Sequence, residues 1–159
     1  MSSVRRATAS DRDSIVHMNA AMALETEGVA LDRDRLSGGV TAALADPSKA
    51  FYLLAERGGE VVGQLMVTTE WSDWRNGVFW WIQSVYITPS WRRRGVYRAL
   101  YAQVLSEAEA RDDVCGVRLY VHHDNTVAQA TYESLGMVRS DYHMYEVDFV
   151  VERSTPEQR

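Results

Sequence analysis

The sequence predicts an α/β chain built on one mixed sheet, and three observations carry that expectation. Apolar runs of strand length alternate with amphipathic helical stretches. The pair Gly58-Gly59 separates two such runs, which marks a β-hairpin. A turn rich in Arg, with one Gly, leads from a strand straight into a helix. At 159 residues, 46% hydrophobic and without a long low-complexity stretch, the chain is sized for one domain, expected over residues 1–150. The polar stretch 151–159, which contains Pro156, reads as a flexible tail.

Each element has its own signal. Residues 4–7 read as a short first strand, and Ser10 with Asp13 forms a helix start resembling a capping box. Ile15, Met18, Ala21 and Met22 recur at helical spacing to about Leu24, which leaves residues 24–28 between two helices. Asp32 precedes the second helical pattern, through Leu36, Val40 and Leu44, and Pro47 ends it. Residues 51–57 and 61–70 are the hairpin strands, and 78–87 extends the antiparallel run. From about Arg93 to Ala110, Val96, Leu100, Val104 and Ala108 form one apolar stripe for covering the sheet. A strand at 117–121, a helix at 125–135 and a last strand near 142–149 complete the order β-α-α-β-β-β-α-β-α-β.

The chemistry concentrates where the strand ending Val85-Tyr86-Ile87 turns into a helix. There the turn and the first helical N–H groups point outward together, and the helix dipole adds partial positive charge. Arg92, Arg93, Arg94 and Arg98 surround that point, and Gly95 lets a ligand approach the backbone. A pyrophosphate fits such a site; a solvated basic turn is the simpler alternative. Downstream, Asn125 reads as a helix N-cap and Gly136 as a left-handed helix stop. Asn125, Ala128 and Tyr132 share one helix face.

Arg92-x-x-Gly95-x-Tyr97 resembles the acetyl-CoA signature of the GCN5-related N-acetyltransferases, Arg/Gln-x-x-Gly-x-Gly/Ala, with Tyr97 in place of the small last residue. Asn125-x-x-Ala128-x-x-x-Tyr132-x-x-x-Gly136-Met137 is similar to that family's second signature. The resemblance spans about residues 2–149. It implies a twisted sheet of six to seven strands flanked by about four helices, with splayed central strands forming a slot for acetyl-CoA. Within that slot it places the backbone of Val85, Tyr86 and Ile87 against the pantetheine arm, and Arg92, Arg93, Arg94, Gly95, Val96, Tyr97, Arg98 and Asn125 in the cofactor set. Tyr132 becomes the candidate general acid for the departing thiolate, with a core aromatic as its alternative role.

An alkylammonium must lose a proton before it attacks, which calls for a base. Glu70, Glu25, Glu27, His122 and His123 are the candidates, and Glu70 is counted in the catalytic set. Four of the five tryptophans fall within residues 71–81, beside acids. Aromatic faces next to carboxylates suit an organic cation, so Glu25, Glu27, Trp71, Asp73 and Trp74 are the candidate acceptor residues. Packing and solvation are their alternative roles.

Composition narrows the partners. A net charge of −5 disfavours nucleic acid, and no segment offers the ~20 apolar residues of a membrane span. The N-terminus has no signal-like apolar core, and Cys115 is the single cysteine, so a reducing, cytoplasmic setting is expected. No His/Cys/Asp/Glu spacing suggests a metal. The expected function is acetyl-CoA-dependent acetylation of a primary amine on a small cationic metabolite. A protein or peptide amine acetyltransferase and a noncatalytic acyl-CoA-binding module are the alternatives, and a homodimer is possible because the resemblance implies that dimers are common.

Overall fold

The computed structural model describes residues 3–151. The chain divides between His122 and His123 into two compact units. The first holds five strands in the order β1-β2-β3-β4-β5: β1 (Ser3–Arg6), β2 (Phe51–Arg57), β3 (Glu60–Ser72), β4 (Gly77–Ile87) and β5 (Val114–Leu119). Neighbours are antiparallel except β4 and β5, which run parallel. A parallel pair needs a crossover, and α3 (Val96–Glu109) supplies it.

Helices α1 (Arg12–Glu27) and α2 (Arg33–Ala45) precede the hairpin. Asp32 caps α2 as its position predicts, its Oδ1 accepting from the Arg35 N–H at 2.7 Å. The first helical segment begins earlier than Ser10 suggests. Thr8 is the capping residue of a short 3-10 turn, its N–H donating to Asp11 Oδ2 at 2.8 Å, because Arg5 anchors the Asp11 carboxylate at 2.8 Å. Helix α1 also runs on through Glu25–Glu27 to Gly28, so residues 24–27 are its last turn rather than a connecting loop.

Strand alternation divides the buried residues between two faces. Tyr52 and Leu54 pack with Ile15, Val16, Val40 and Ala43 from α1 and α2. Helix α3 buries Val96, Leu100 and Val104 completely or nearly so, at no more than 1% exposure. Gly63 brings β3 and α3 together, since a Cβ there would lie 2.6 Å from Ile87 Cδ1 and 3.1 Å from Val96 Cγ1. The start of α3 is thereby seated against the end of β4.

The second unit contains α4 (Thr126–Ser134), capped by Asn125, whose Oδ1 accepts from the Ala128 N–H at 3.1 Å. The expected last strand at 142–149 is not formed, so five strands rather than six or seven are described. Alternating apolar residues specify a strand only where a ladder partner exists, and the described part of this unit contains no strand to supply one. Tyr145 and Phe149 are accordingly 93% and 92% exposed. Of the expected tail, all but Val151 lies outside the described residues.

Candidate active site

Strand β4 is flanked on both sides over only part of its length. Strand β3 accompanies it from Gly77 to Ile87, whereas β5 pairs with Val78–Ile82 alone. From residue 83 to residue 87 one edge of β4 has no strand partner among the described residues. An open edge of this kind offers backbone N–H and C=O groups to an extended ligand. The open edge begins where β5 ends at Leu119, in the part of β4 where the resemblance expects the slot.

The same half of β4 is irregular. Gln64 pairs with Tyr86 and Met66 with Gln83, so β4 uses one more residue than β3 over this step. The extra residue makes a bulge. Ser84 takes φ 50°, a left-handed conformation that costs an L-residue on the order of 1–2 kcal/mol and needs support from its surroundings. That support includes Gln64, whose Nε2 lies 3.3 Å from the Ser84 carbonyl oxygen and 2.8 Å from Asn19 Oδ1.

Beyond Ile87 the chain makes a 3-10 turn at Pro89–Trp91 and then the Arg92–Gly95 turn. Arg93 has φ 60° and Gly95 φ 77°. The first bond of α3 runs from the Ala99 N–H to Gly95 O at 3.1 Å, so the helical N–H groups ahead of it have no intrahelical acceptor. A Cβ at Gly95 would meet no heavy atom within 4 Å, so the space above the turn is open. Donors, dipole and space coincide there as an anion site requires. Tyr97 fits at its unusual position because its ring stacks on Tyr101 one turn along, with centroids 6.0 Å apart.

The arginines have different tasks. Arg92 donates through Nε to the Ile87 carbonyl at 2.9 Å and pairs with Glu25 at 2.5 Å, so its charge is directed to α1. Arg94 stacks 5.3 Å from the Trp91 ring centroid, and Arg93 and Arg98 are exposed. Glu25 also accepts the Tyr86 hydroxyl at 2.7 Å. The Arg92 hydrogen bond, reinforced by Tyr86, pulls the Glu25 carboxyl below the usual range. Burial, followed by the Glu25 contact, pushes the Tyr86 phenol up. A carboxylate held this way is a weak base, so Glu25 acts as a tie.

The remaining base and acceptor candidates lie elsewhere. Glu70 and Trp71 are within β3, opposite Phe79 and Val78, and only residues 73–76 form the turn. From residue 64 to residue 70, β3 advances about 20 Å at ~3.3 Å per residue, which separates this end from Tyr86 and Glu25. One pocket therefore does not combine Glu25 or Glu27 with the Glu70–Trp74 group. Glu70 accepts from Arg118 Nη1 at 3.0 Å and lies far along the sheet from the bulge, so the structure does not bring it to Val85 as a base. Trp71 and Trp74 are 62% and 85% exposed, and Asp73 Oδ1 accepts from the Trp74 N–H at 2.9 Å. His122 and His123 are exposed.

In the second unit, Tyr132 is half-buried on α4, and burial raises its phenol above the ordinary value. It keeps its proton at neutral pH, as a proton donor must. Gly136 follows with φ 88°.

Three residues in contact with this part of the sheet lie outside both motifs: Gln64, Asn19 and Gly63. Gln64 had one visible signal, a polar side chain inside the apolar run Val61-Val62-Gly63-Gln64-Leu65-Met66-Val67. Asn19 lies within the helical pattern of α1, and a single Gly in a strand marks close approach only as one option among several.

Comparison with known proteins agrees with this geometry. No curated protein matches the sequence. A possible acetyltransferase from Clostridium difficile 630 is 43% identical, with TM-score 0.87 over 95% of this chain and 99% of that one. A GCN5-related N-acetyltransferase from Ralstonia eutropha JMP134 shares the fold at 21% identity, with TM-score 0.77 over 92% of this chain and 99% of its own. A predicted acetyltransferase from Clostridium acetobutylicum, solved with acetyl-CoA, shares it at 16% identity, with TM-score 0.76 over 92% and 96%. The acetyltransferase (GNAT) family matches residues 15–137, most of the chain, and this protein belongs to that family.

Proposed function

We propose that this acetyltransferase takes its acetyl group from acetyl-CoA through the open edge of β4 and delivers it to a primary amine on a small cation. The observation that carries the reading is the run from residue 83 to residue 87, with a bulge and one unpaired edge, followed at once by the donor-rich turn into α3. Pantetheine amides would pair with the backbone of Val85, Tyr86 and Ile87. Pyrophosphate would sit on the N–H groups of residues 93–98, with Arg93, Arg94 and Arg98 supplying charge and Arg92 shared between it and Glu25. Acetyl-CoA in the Clostridium acetobutylicum relative supports the choice of donor.

In the reaction the neutral amine, its ammonium proton already released to water, attacks the thioester carbonyl; a C–N bond forms, the C–S bond breaks, and the proton that the acylated nitrogen sheds passes to water. A β4 N–H aimed at the carbonyl oxygen would stabilise charge developing there. Tyr132, protonated at neutral pH, is the residue we assign to protonating the departing thiolate. Glu27, exposed on the last turn of α1 beside the Glu25 tie, is our choice for holding the cationic acceptor.

Two measurements test this. Isothermal titration with acetyl-CoA should give saturable binding. Thiol release with primary amines of positive, zero and negative net charge should favour the cations. Preference for neutral or anionic amines overturns the acceptor assignment, and turnover of peptide N-termini alone replaces it with a protein substrate.

A further inference from the structure

Gln64 is fully buried in the middle of β3, at 0% exposure. Its Nε2 faces two acceptors, Asn19 Oδ1 at 2.8 Å and the Ser84 carbonyl at 3.3 Å, which fixes the orientation of the amide. Asn19, 5% exposed on α1, also hydrogen-bonds the Tyr52 hydroxyl. The carboxamide therefore spans from an anchored helix to the one residue of β4 with left-handed backbone. Gln64 Oε1 is buried and has no partner among the described residues. Leaving such an acceptor unsatisfied costs on the order of 1–3 kcal/mol, so fold stability alone is a poor reason for a glutamine here.

We propose that Gln64 is a positioning residue for acetyl transfer: clamped to Asn19, it holds the Ser84 carbonyl and so sets the bulge that presents the open edge of β4 to the acyl-pantetheine arm. The ladder between β3 and β4 resumes at Tyr86 opposite Gln64 itself, so the side chain controls the step from Gln83 to Tyr86 where the register shifts. Without the amide, the left-handed Ser84 loses a hydrogen bond that compensates its strain, and the β4 peptides next to it are free to turn. The turn into α3 is untouched by this change, because Gly63 and Val96 seat it separately.

This inference rests on the reading of the β4 edge as the acetyl-CoA slot, and the experiment separates the two. Binding of acetyl-CoA is compared with binding of adenosine 3′-phosphate 5′-diphosphate, a probe that keeps the pyrophosphate and lacks pantetheine, by titration calorimetry on the full chain. In the wild type, acetyl-CoA should bind more tightly than the probe; equal affinities remove the slot reading itself. In Gln64→Met, which keeps the volume but not the donors, acetyl-CoA affinity should fall by about tenfold, the effect of losing roughly one hydrogen bond's worth of stabilisation. Affinity for the nucleotide probe should change less than about twofold. Asn19→Ala, which removes the clamp but keeps the bond from Gln64 to Ser84, should lower acetyl-CoA affinity by less than Gln64→Met does. If Gln64→Met does not fold, Gln64→Glu serves instead: its carboxyl can donate only when protonated, so acetyl-CoA affinity should weaken with rising pH relative to wild type. With the slot reading intact, unchanged acetyl-CoA affinity in the folded variant, or equal loss for both ligands, overturns the positioning role.

Discussion

The Tyr86 hydroxyl donates to Glu25 Oε1 at 2.7 Å, joining the last turn of α1 to the end of β4. Arg92 takes the other oxygen of the same carboxylate at 2.5 Å. The first arginine of the cofactor signature is thereby occupied by an internal anion, and a bound pyrophosphate would compete with Glu25 for it. Glu25→Gln should free Arg92 and tighten acetyl-CoA binding several-fold, more at low than at high ionic strength. The cost in stability should be small, since exposed ion pairs contribute about 0–1 kcal/mol. Because the Glu25 carboxyl is held below its ordinary range, the tie contributes above the unfolded pKa and is lost as pH falls through the folded one. Weaker acetyl-CoA binding in Glu25→Gln would mean that the tie organises the site instead of competing with the ligand.

Gly95 combines φ 77° with open space where a Cβ would point. Gly95→Ala tests conformation, at a cost of roughly 1 kcal/mol, and Gly95→Val adds bulk over the donors. Acetyl-CoA affinity should fall in the order Gly, Ala, Val, measured by titration calorimetry. Unchanged affinity in Gly95→Val excludes pyrophosphate from this turn.

Signals that are local in sequence were legible before the structure. The Gly58-Gly59 hairpin, the Asp32 and Asn125 caps and the turn into α3 each follow from a few adjacent residues. What could not be read depends on partners far along the chain. Glu25 reads as a ligand residue in the sequence because its partners, Tyr86 and Arg92, are 61 and 67 residues away. Glu25 and Glu27 share one acceptor set with Trp71, Asp73 and Trp74 on composition alone, whereas the register of β3 on β4 puts about 20 Å between the two ends. Residues 142–149 have strand-like alternation, yet alternation carries no information about whether an edge is there to receive it.

Asp11 offers a stability test away from the site. It is 8% exposed, and the Arg5 hydrogen bonds, helped by the Thr8 N–H, lower its pKa from 3.8 to about 2 against the opposing effect of burial. A depressed pKa contributes stability above the unfolded value and loses it as pH falls through the folded one. The shift is worth about 2 kcal/mol at neutral pH. Urea denaturation should show Asp11→Asn less stable than wild type by about that amount at pH 7, with the gap closing from about pH 4 to pH 2. A gap independent of pH would assign the loss to packing.

Tyr132→Phe keeps the ring and removes only the hydroxyl. If that hydroxyl protonates the thiolate, kcat should fall by up to the roughly 10²–10⁴-fold of general acid catalysis, while acetyl-CoA affinity changes little. Burial already raises the phenol, so wild-type activity should not decline near neutral pH through loss of this proton. Wild-type turnover in Tyr132→Phe across pH removes Tyr132 from the chemistry.

The acceptor site can be located by charge removal at two distant places. Glu27 lies on the last turn of α1, near the tie between Glu25 and Tyr86, whereas Asp73 lies in the turn joining β3 to β4. Given the separation of those ends along β3, one small amine cannot contact both. Glu27→Gln should raise KM for a cationic amine by roughly tenfold or less and leave KM for acetyl-CoA unchanged, because it removes one charge pair while keeping shape. Added salt should shrink the difference if the carboxylate faces open solvent. Asp73→Asn should leave amine kinetics at the wild-type level. The reverse pattern would move the acceptor to the far end of the hairpin beside Trp71 and Trp74, and no effect from either substitution would mean that the acceptor is not selected by these charges.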